Sequence, residues 1–478
     1  MILLTLVLVQ IQLKHGLHVD EGQYLLISRT ILDGGVPYRD IWENKPVGLY
    51  FMLLPVVLIA GTNIELIRLL SALNVLVSAF LVYWITLKSS DSQLASAFAS
   101  FLFILLSFDS VINGYFFLTE PLSNTLITLS IALLLSKRLS FTKYLLSAVS
   151  FSFSIWVRQT SILFLLPIFF ICFSRKKTQD AIKPFLIGGI AVFLPFIFYL
   201  VYTDTLTLFF RDVILSPLFA GVVGSQLSTP EHQIVFLFIA LMTYFFLPFL
   251  VVIGVWESFK KREASLFLVF WLLSGLISVI AVHNFTHNLL PLLPPVAIIS
   301  GIGLKTVVRA KDYFANALSR YFSLAIIYLT FFSVLILFLS YAISDYGSQN
   351  ECTDLQAQKA LTAFFNAKEG SKMLVFMRGG REYYLTQGVP ITKTTHMASN
   401  LISYFLNGNQ TPDAYFPSAQ ESVCGPLVNN PDAYLILFEN DENCFSEVLA
   451  ASNCEVRVGD YSLIGNMSKY RIYARAPN

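Results

Sequence analysis

His18-Val19-Asp20-Glu21-Gly22-Gln23-Tyr24 opens a run that continues through Ile27-Ser28-Arg29 and Gly34-Gly35-Val36-Pro37-Tyr38-Arg39-Asp40 to Trp42-Glu43-Asn44-Lys45-Pro46. The run lies in a polar stretch, Lys14 to Lys45, between two apolar ones, Ile2–Leu13 and Pro46–Ala60. Charge concentrated between two apolar segments is the pattern of a loop joining membrane elements. A helix over 20–32 puts Asp20, Gln23, Tyr24 and Ile27 on one face, at the i, i+3, i+4, i+7 spacing. Asp20 and Glu21 then stand in its first turn, where the helix dipole favours anions. On the residues alone two readings stay open: an N-cap with a first-turn acid, or a reactive pair.

Working outward, the remainder of the chain is greasy. Of 478 residues 55% are hydrophobic and only 13% charged, and the mean hydropathy is +0.66. A soluble domain carries about 25% charged residues, so lipid is the expected solvent for most of this chain. Aromatic residues make up 15%, which suits spans with interfacial belts. A net charge of +2 excludes nucleic acid as a partner recognised by bulk charge.

Ile2–Leu13 reads as a short first span rather than a signal peptide, lacking a basic N-terminal region and a small-residue cleavage site. Crossing a bilayer takes roughly 20 apolar residues, so this span is expected to be truncated. Pro46–Ala60 reads as a helix in or near the interface, broken off by Gly61-Thr62-Asn63. Further spans are expected over about 64–87, 93–111, 117–136, 144–157, 160–174, 184–203, 233–256, 265–282, 288–304 and 321–342. That makes about eleven transmembrane helices.

One set of loops carries fifteen basic residues, from Lys88 to Arg320, whereas the opposite short loops after the third span carry Arg158 and Arg211. The positive-inside rule makes the basic set cytoplasmic. The N-terminus is then cytoplasmic, and the loop 14–63 and the polar tail 343–478 lie outside. The expected domains are a membrane domain, 1–342, and an extracytoplasmic domain, 343–478. The tail reads as a small α/β domain, with strands at Met373–Phe376 and Ala433–Phe438 and short helices at Arg381–Thr386 and Phe445–Ala451.

Cys172 lies in an apolar run, whereas Cys352, Cys424, Cys444 and Cys454 all lie in the tail. An even set confined to one domain points to an oxidising compartment, with four unpaired thiols as the alternative. Three pairings exist; the short loop between them favours Cys444–Cys454, with Cys352–Cys424 as its complement.

Asp-Glu-x-x-Tyr, Ile-Ser-Arg, Gly-x-x-Pro and Glu-x-Lys-Pro occur here in that order before an interfacial helix. This set resembles the first outer loop of the GT-C glycosyltransferases, in particular the lipid A aminoarabinose transferases and the protein O-mannosyltransferases of glycosyltransferase family 39. Leu118-Thr119-Glu120-Pro121 is similar to the family's acid-proline at the second outer loop. His287-Asn288-Leu289-Leu290-Pro291-Leu292-Leu293-Pro294-Pro295 is similar to the start of its late span. The resemblance implies a plasma-membrane enzyme that moves a monosaccharide from a polyprenyl-phosphate donor to a lipid, glycan or protein acceptor outside the cytoplasm, with inversion.

By the same resemblance Asp20 is the base that deprotonates the acceptor, and Glu21 orients it or binds the sugar. Lys45 contacts the carrier phosphate, and Glu120 faces the cavity from a second loop. The aminoarabinose transferases carry Arg two residues after the Asp-Glu pair, where this chain has Gln23. Arg158, with Arg29 and Arg39 as rivals, is expected to supply the missing cation; Tyr24, Glu43 and His287 complete the donor-binding set. His283 and His287 stand four apart, but that spacing in a short loop is a weak metal signal, and no metal or other cofactor is expected. The rival reading is a permease or flippase for lipid-linked sugars, which needs charges inside spans along a pathway. A surface-polysaccharide ligase or polymerase is the rival within enzymes.

Overall fold

The computed structural model describes residues 5–6, 8–10, 13, 15–109, 112–136, 138–174, 178–215, 247–260, 266–281, 286–313, 355–365, 370–375, 380–387, 389–390, 392, 423–438, 445–446, 454, 456, 460–467 and 470–475. The expected span 321–342 lies outside them, as do most of Phe445–Ala451, Cys352, Cys444 and His283. Two compact units are present. The first comprises 1–11, 68–195 and 225–348, the second 12–67, 196–224 and 349–478.

The second unit begins with the loop that opened the sequence. It forms α1 (Val19–Leu32) and α2 (Gly48–Ala60). Helix α1 stops at Asp33, followed by Gly34 at φ +86°, the left-handed position glycine fills without cost after a helix. Helix α2 is apolar throughout and leaves Leu58 and Ile59 exposed, as a helix lying in an interface does.

The α-helical remainder comprises α3 (Ile64–Ser90), α4 (Gln93–Ser107), α5 (Thr119–Leu134), α6 (Phe141–Val157), α7 (Leu165–Ser174), α8 (Thr178–Tyr202), α9 (Leu247–Lys260), α10 (Leu266–Ala281) and α11 (Leu293–Tyr313). Short 3-10 turns, Gln159–Phe164 and Thr286–Leu292, lead into α7 and α11. Among the described residues three helical stretches are long and apolar enough to cross a membrane: Ile64–Ser90, Gln179–Tyr202 and Asn288–Arg309. Several other apolar helices are shorter. Along its most apolar stretch α8 buries only 17% of its residues, with Phe198 and Val201 exposed. Water would disfavour so large an apolar face, whereas lipid accepts it, and the chain is a membrane protein.

Within the first unit small residues set the helix spacing. A side chain on Gly254 would strike the backbone of Ile299, and one on Gly303 would strike that of Leu250. Helices α9 and α11 therefore approach backbone to backbone, as in the small-residue packing of membrane helices.

The tail supplies α12 (Leu355–Phe365), α13 (Gly380–Thr386) and a five-stranded sheet of order β2-β1-β3-β5-β4. Its strands are β1 (Lys372–Val375), β2 (Val389–Pro390), β3 (Tyr434–Phe438), β4 (Tyr461–Met467) and β5 (Tyr470–Arg475). Strand β1 pairs in parallel with β2 and β3; β5 pairs antiparallel with β3 and β4. The central strands read as apolar runs because both faces are covered: Met373, Leu374, Val375, Leu435, Ile436 and Leu437 are all buried. The disulfide links Cys424 to Cys454, with Cα atoms 5.5 Å apart, which corrects both pairings favoured from the sequence. Loop length enters the closure entropy only logarithmically, so the short 444–454 loop was a weak guide, and proximity in the fold decides.

Candidate active site

Helix α1 is capped by its own first turn. The His18 ring nitrogen Nδ1 accepts from the Asp20 backbone N–H at 3.2 Å, and the Glu21 carboxylate accepts from the His18 N–H at 3.2 Å. Glu21 is fully buried. The cap thus uses the side chains of His18 and Glu21, while Asp20 contributes its backbone N–H and keeps a half-exposed side chain. On the expected face Gln23, Tyr24 and Ile27 are buried, with the Tyr24 ring 6.5 Å from that of Tyr50.

The loop after α1 folds back through Tyr38, which sits at φ +68°, a conformation uncommon for a side-chain-bearing residue and held only by its surroundings. Its N–H donates to Ile41 O at 2.8 Å, and its hydroxyl donates to Lys45 O at 2.7 Å. The Tyr50 hydroxyl lies 3.3 Å from the same carbonyl. The Lys45 backbone is thereby fixed, and its ammonium donates to Asn44 Oδ1 at 2.7 Å.

Glu43 is the group most altered by this packing. Burial raises its carboxyl to about 7, opposed by the Lys45 charge and by the Asn44 N–H, and the charges of Asp20 and Asp212 push it further up. Burial and the Glu43 and Asp212 charges likewise hold the Tyr38 phenol well above its usual range, so it stays a hydrogen-bond donor. Asp20, Glu43, Lys45 and Asp212 therefore form one electrostatic group within the second unit.

Asp212 was not anticipated from the sequence. It lies in the π-helical turn Phe210–Leu215, fully buried, and its carboxyl is raised by burial against the pull of Arg211. The Arg211 guanidinium grips it with contacts of 2.6 and 3.1 Å. An Arg-Asp dipeptide in a loop looks like a solvated pair; only the fold shows that the acid is buried.

Arg29 donates to Tyr384 O at 2.9 Å and Tyr383 O at 3.1 Å. Arg39 is exposed and pairs with its neighbour Asp40.

The first unit holds its own constellation. Glu120, in the first turn of α5, and Arg158, which caps the C-terminus of α6, are both buried and lie 3.4 Å apart. Arg158 also reaches Asn288 Oδ1 at 3.5 Å. The Asn124 amide donates to Leu290 O at 2.7 Å, so the acid-proline motif and the Leu-Pro motif meet in space. His287 falls in the backbone of the turn Thr286–Leu292. Among the described residues no group of three or more His, Cys, Asp or Glu side chains is placed to hold a metal ion.

These features, helices with an acid-bearing first loop and a small terminal sheet, define a GT-C fold. Two solved structures of ArnT from Cupriavidus metallidurans are similar over 100% of this chain and 98% of theirs at 13% identity. The TM-score is 0.63 for the form bound to undecaprenyl phosphate and 0.61 for the apo form. The Archaeoglobus fulgidus oligosaccharyltransferase, in complex with Zn and sulfate, is similar over 97% of this chain and 70% of its own at 14% identity, with TM-score 0.56. No protein-family model matches the sequence, and no curated protein matches it significantly.

Proposed function

We propose that this chain is a glycosyltransferase that moves a monosaccharide from a polyprenyl-phosphate donor to an acceptor hydroxyl outside the cytoplasm, with inversion. The observation that carries the reading is the grouping of a half-exposed Asp20 with Glu43 and Lys45 in one loop. The acceptor oxygen attacks the anomeric carbon and its proton passes to Asp20; a carboxylate within reach suffices for this step. The bond from that carbon to the phosphate oxygen breaks, and the electron pair leaves with the phosphate. Lys45 stabilises the developing charge, which counts for most in a poorly hydrated setting. Glu21 orients Asp20 through the cap, and Glu43 and Tyr24 border the sugar. Glu120, which the resemblance implies, and Arg158 and His287 are further donor candidates, each open to its own variant.

The GT-C fold shared with ArnT supports a lipid-linked donor, since the ArnT structure is bound to undecaprenyl phosphate. The same reading places the domain 343–478, and the loop 14–63 of the membrane domain 1–342, on the extracytoplasmic side. The experiment is mass spectrometry of lipids that copurify with the protein, followed by transfer from the identified lipid in proteoliposomes. Recovery of a polyprenyl-phosphate sugar and its glycosyl transfer supports the reading. Translocation of an intact lipid-linked sugar without transfer supports the permease instead.

A further inference from the structure

Both ends of α1 are held by residues far along the chain. At its entry the Gln358 carboxamide, on α12, accepts from the Leu17 N–H at 2.9 Å and donates to Leu17 O at 3.2 Å. Gln358 is 1% exposed and Leu17 is fully buried. One side chain thus satisfies both backbone groups of the residue before the His18 cap, in the way a neighbouring strand would. The approach is close: a Cβ on Gly16 would overlap the Gln358 carboxamide, and that carboxamide is pinned by its two bonds and has little freedom to retreat. At the exit the Arg29 guanidinium binds two successive carbonyls of α13 and lies 5.6 Å from the centroid of the Tyr384 ring. Tyr384 in turn donates to Gly61 O, beyond α2. Helix α13 is tied to the sheet behind it, since Tyr383 Oη accepts from the Val375 N–H at 2.8 Å and Tyr470 donates to Glu382 at 2.8 Å.

We propose that Gln358 is a positioning residue for Asp20 and Glu21, setting the backbone that enters α1, with Arg29 anchoring the far end of the same helix. The tail domain thereby holds the reactive helix. A buried glutamine on the otherwise apolar inner face of α12, beside Leu361 and Phe365, is explained by this role. The proposal rests on the glycosyl-transfer reading for its kinetic consequence, though not for its structural one.

The test uses the full-length protein in nanodiscs. Gln358→Leu keeps the volume and removes both bonds to Leu17. Expected are a kcat lower by about ten- to a hundredfold, the cost typical of a misplaced reacting group, and a donor KM within about twofold of wild type. Deuterium uptake should rise at residues 17–21 and stay unchanged in α2. Gln358→Glu retains the acceptor for the Leu17 N–H and should recover part of the rate. Wild-type kcat in Gln358→Leu would overturn the proposal, as would unaltered uptake at 17–21. A rate loss with uptake raised across α2 and α12 alike would mean general unfolding and would overturn it too. If the wild-type protein transfers no sugar, the glycosyl-transfer reading fails, while uptake at 17–21 still decides whether Gln358 holds α1.

Discussion

At the scale of the residue, Glu43 and Lys45 show how burial sets chemistry. Glu43 carries a proton up to about pH 7, against 4.5 when unburied. Its folded value is raised, so its contribution to stability is full below about pH 4.5 and is lost as pH rises through about 7. The difference corresponds to roughly 3 kcal/mol. The unfolding temperature of wild type should fall relative to that of Glu43→Gln as pH rises across that interval, and parallel pH profiles would refute the assignment. Because Lys45 opposes the rise, Lys45→Ala should move the Glu43 transition to still higher pH. Lys45→Ala should also weaken donor binding by more than tenfold, since a charge-assisted contact is worth about 1.5–3 kcal/mol. Titration with the copurifying lipid checks this, and an unchanged affinity would remove Lys45 from the phosphate site. The acid and the cation were legible in Glu43-Asn44-Lys45-Pro46 from their types and order. The partnership with Asp212 was not, because its sequence position is far away and its neighbour Arg211 suggests an ordinary surface pair.

At the scale of the element, α1 was readable and its cap was not. The i, i+3, i+4, i+7 spacing from Asp20 to Ile27 fits the helix, and the structure buries Gln23, Tyr24 and Ile27 while Asp20 stays half-exposed. The sequence left an acid open as the N-cap; the structure puts a histidine nitrogen there, a residue type outside the usual Ser, Thr, Asp and Asn preference, with the Glu21 carboxylate completing the capping box. The β4–β5 hairpin was missed although Tyr470 to Tyr473 carries its burial pattern, because the tail's mixed polarity hid a short signal. Helices α5 and α6 are joined by Glu120 and Arg158. Breaking a buried pair by removing one partner costs about 3–5 kcal/mol, while replacing both can be neutral. Glu120→Gln and Arg158→Met should each lower the unfolding temperature sharply, and the double variant should recover most of the loss. Equal, additive losses in the double variant would show that the pair is not coupled.

At the scale of the whole molecule, the charge asymmetry and the oxidised tail are independent arguments for one orientation. Lys88 lies over the Trp84 ring and Lys260 over the Trp256 ring, both near loops assigned to the cytoplasm, as interfacial anchors do. Single cysteines at Ser140 and Ser348, in a background without the native cysteines, should label from opposite sides of the membrane. Labelling of both by an impermeant reagent added outside would contradict the topology. The GT-C fold was legible because the loop motifs keep their order along the chain. The disulfide partners were not, because pairing depends on which turns the sheet brings together.

The central claim is that Asp20 is the base in sugar transfer, and the Asp20→Asn rate tests it most directly. The substitution keeps size and hydrogen-bonding capacity and cannot take up a proton. The cap of α1 relies on His18 and Glu21 side chains, so folding and donor affinity should hold. Transfer should fall by about 10²–10⁴-fold, the usual worth of a general base. A near wild-type rate in Asp20→Asn, with Glu21→Gln or Glu120→Gln inactive, would place the base elsewhere and contradict the account.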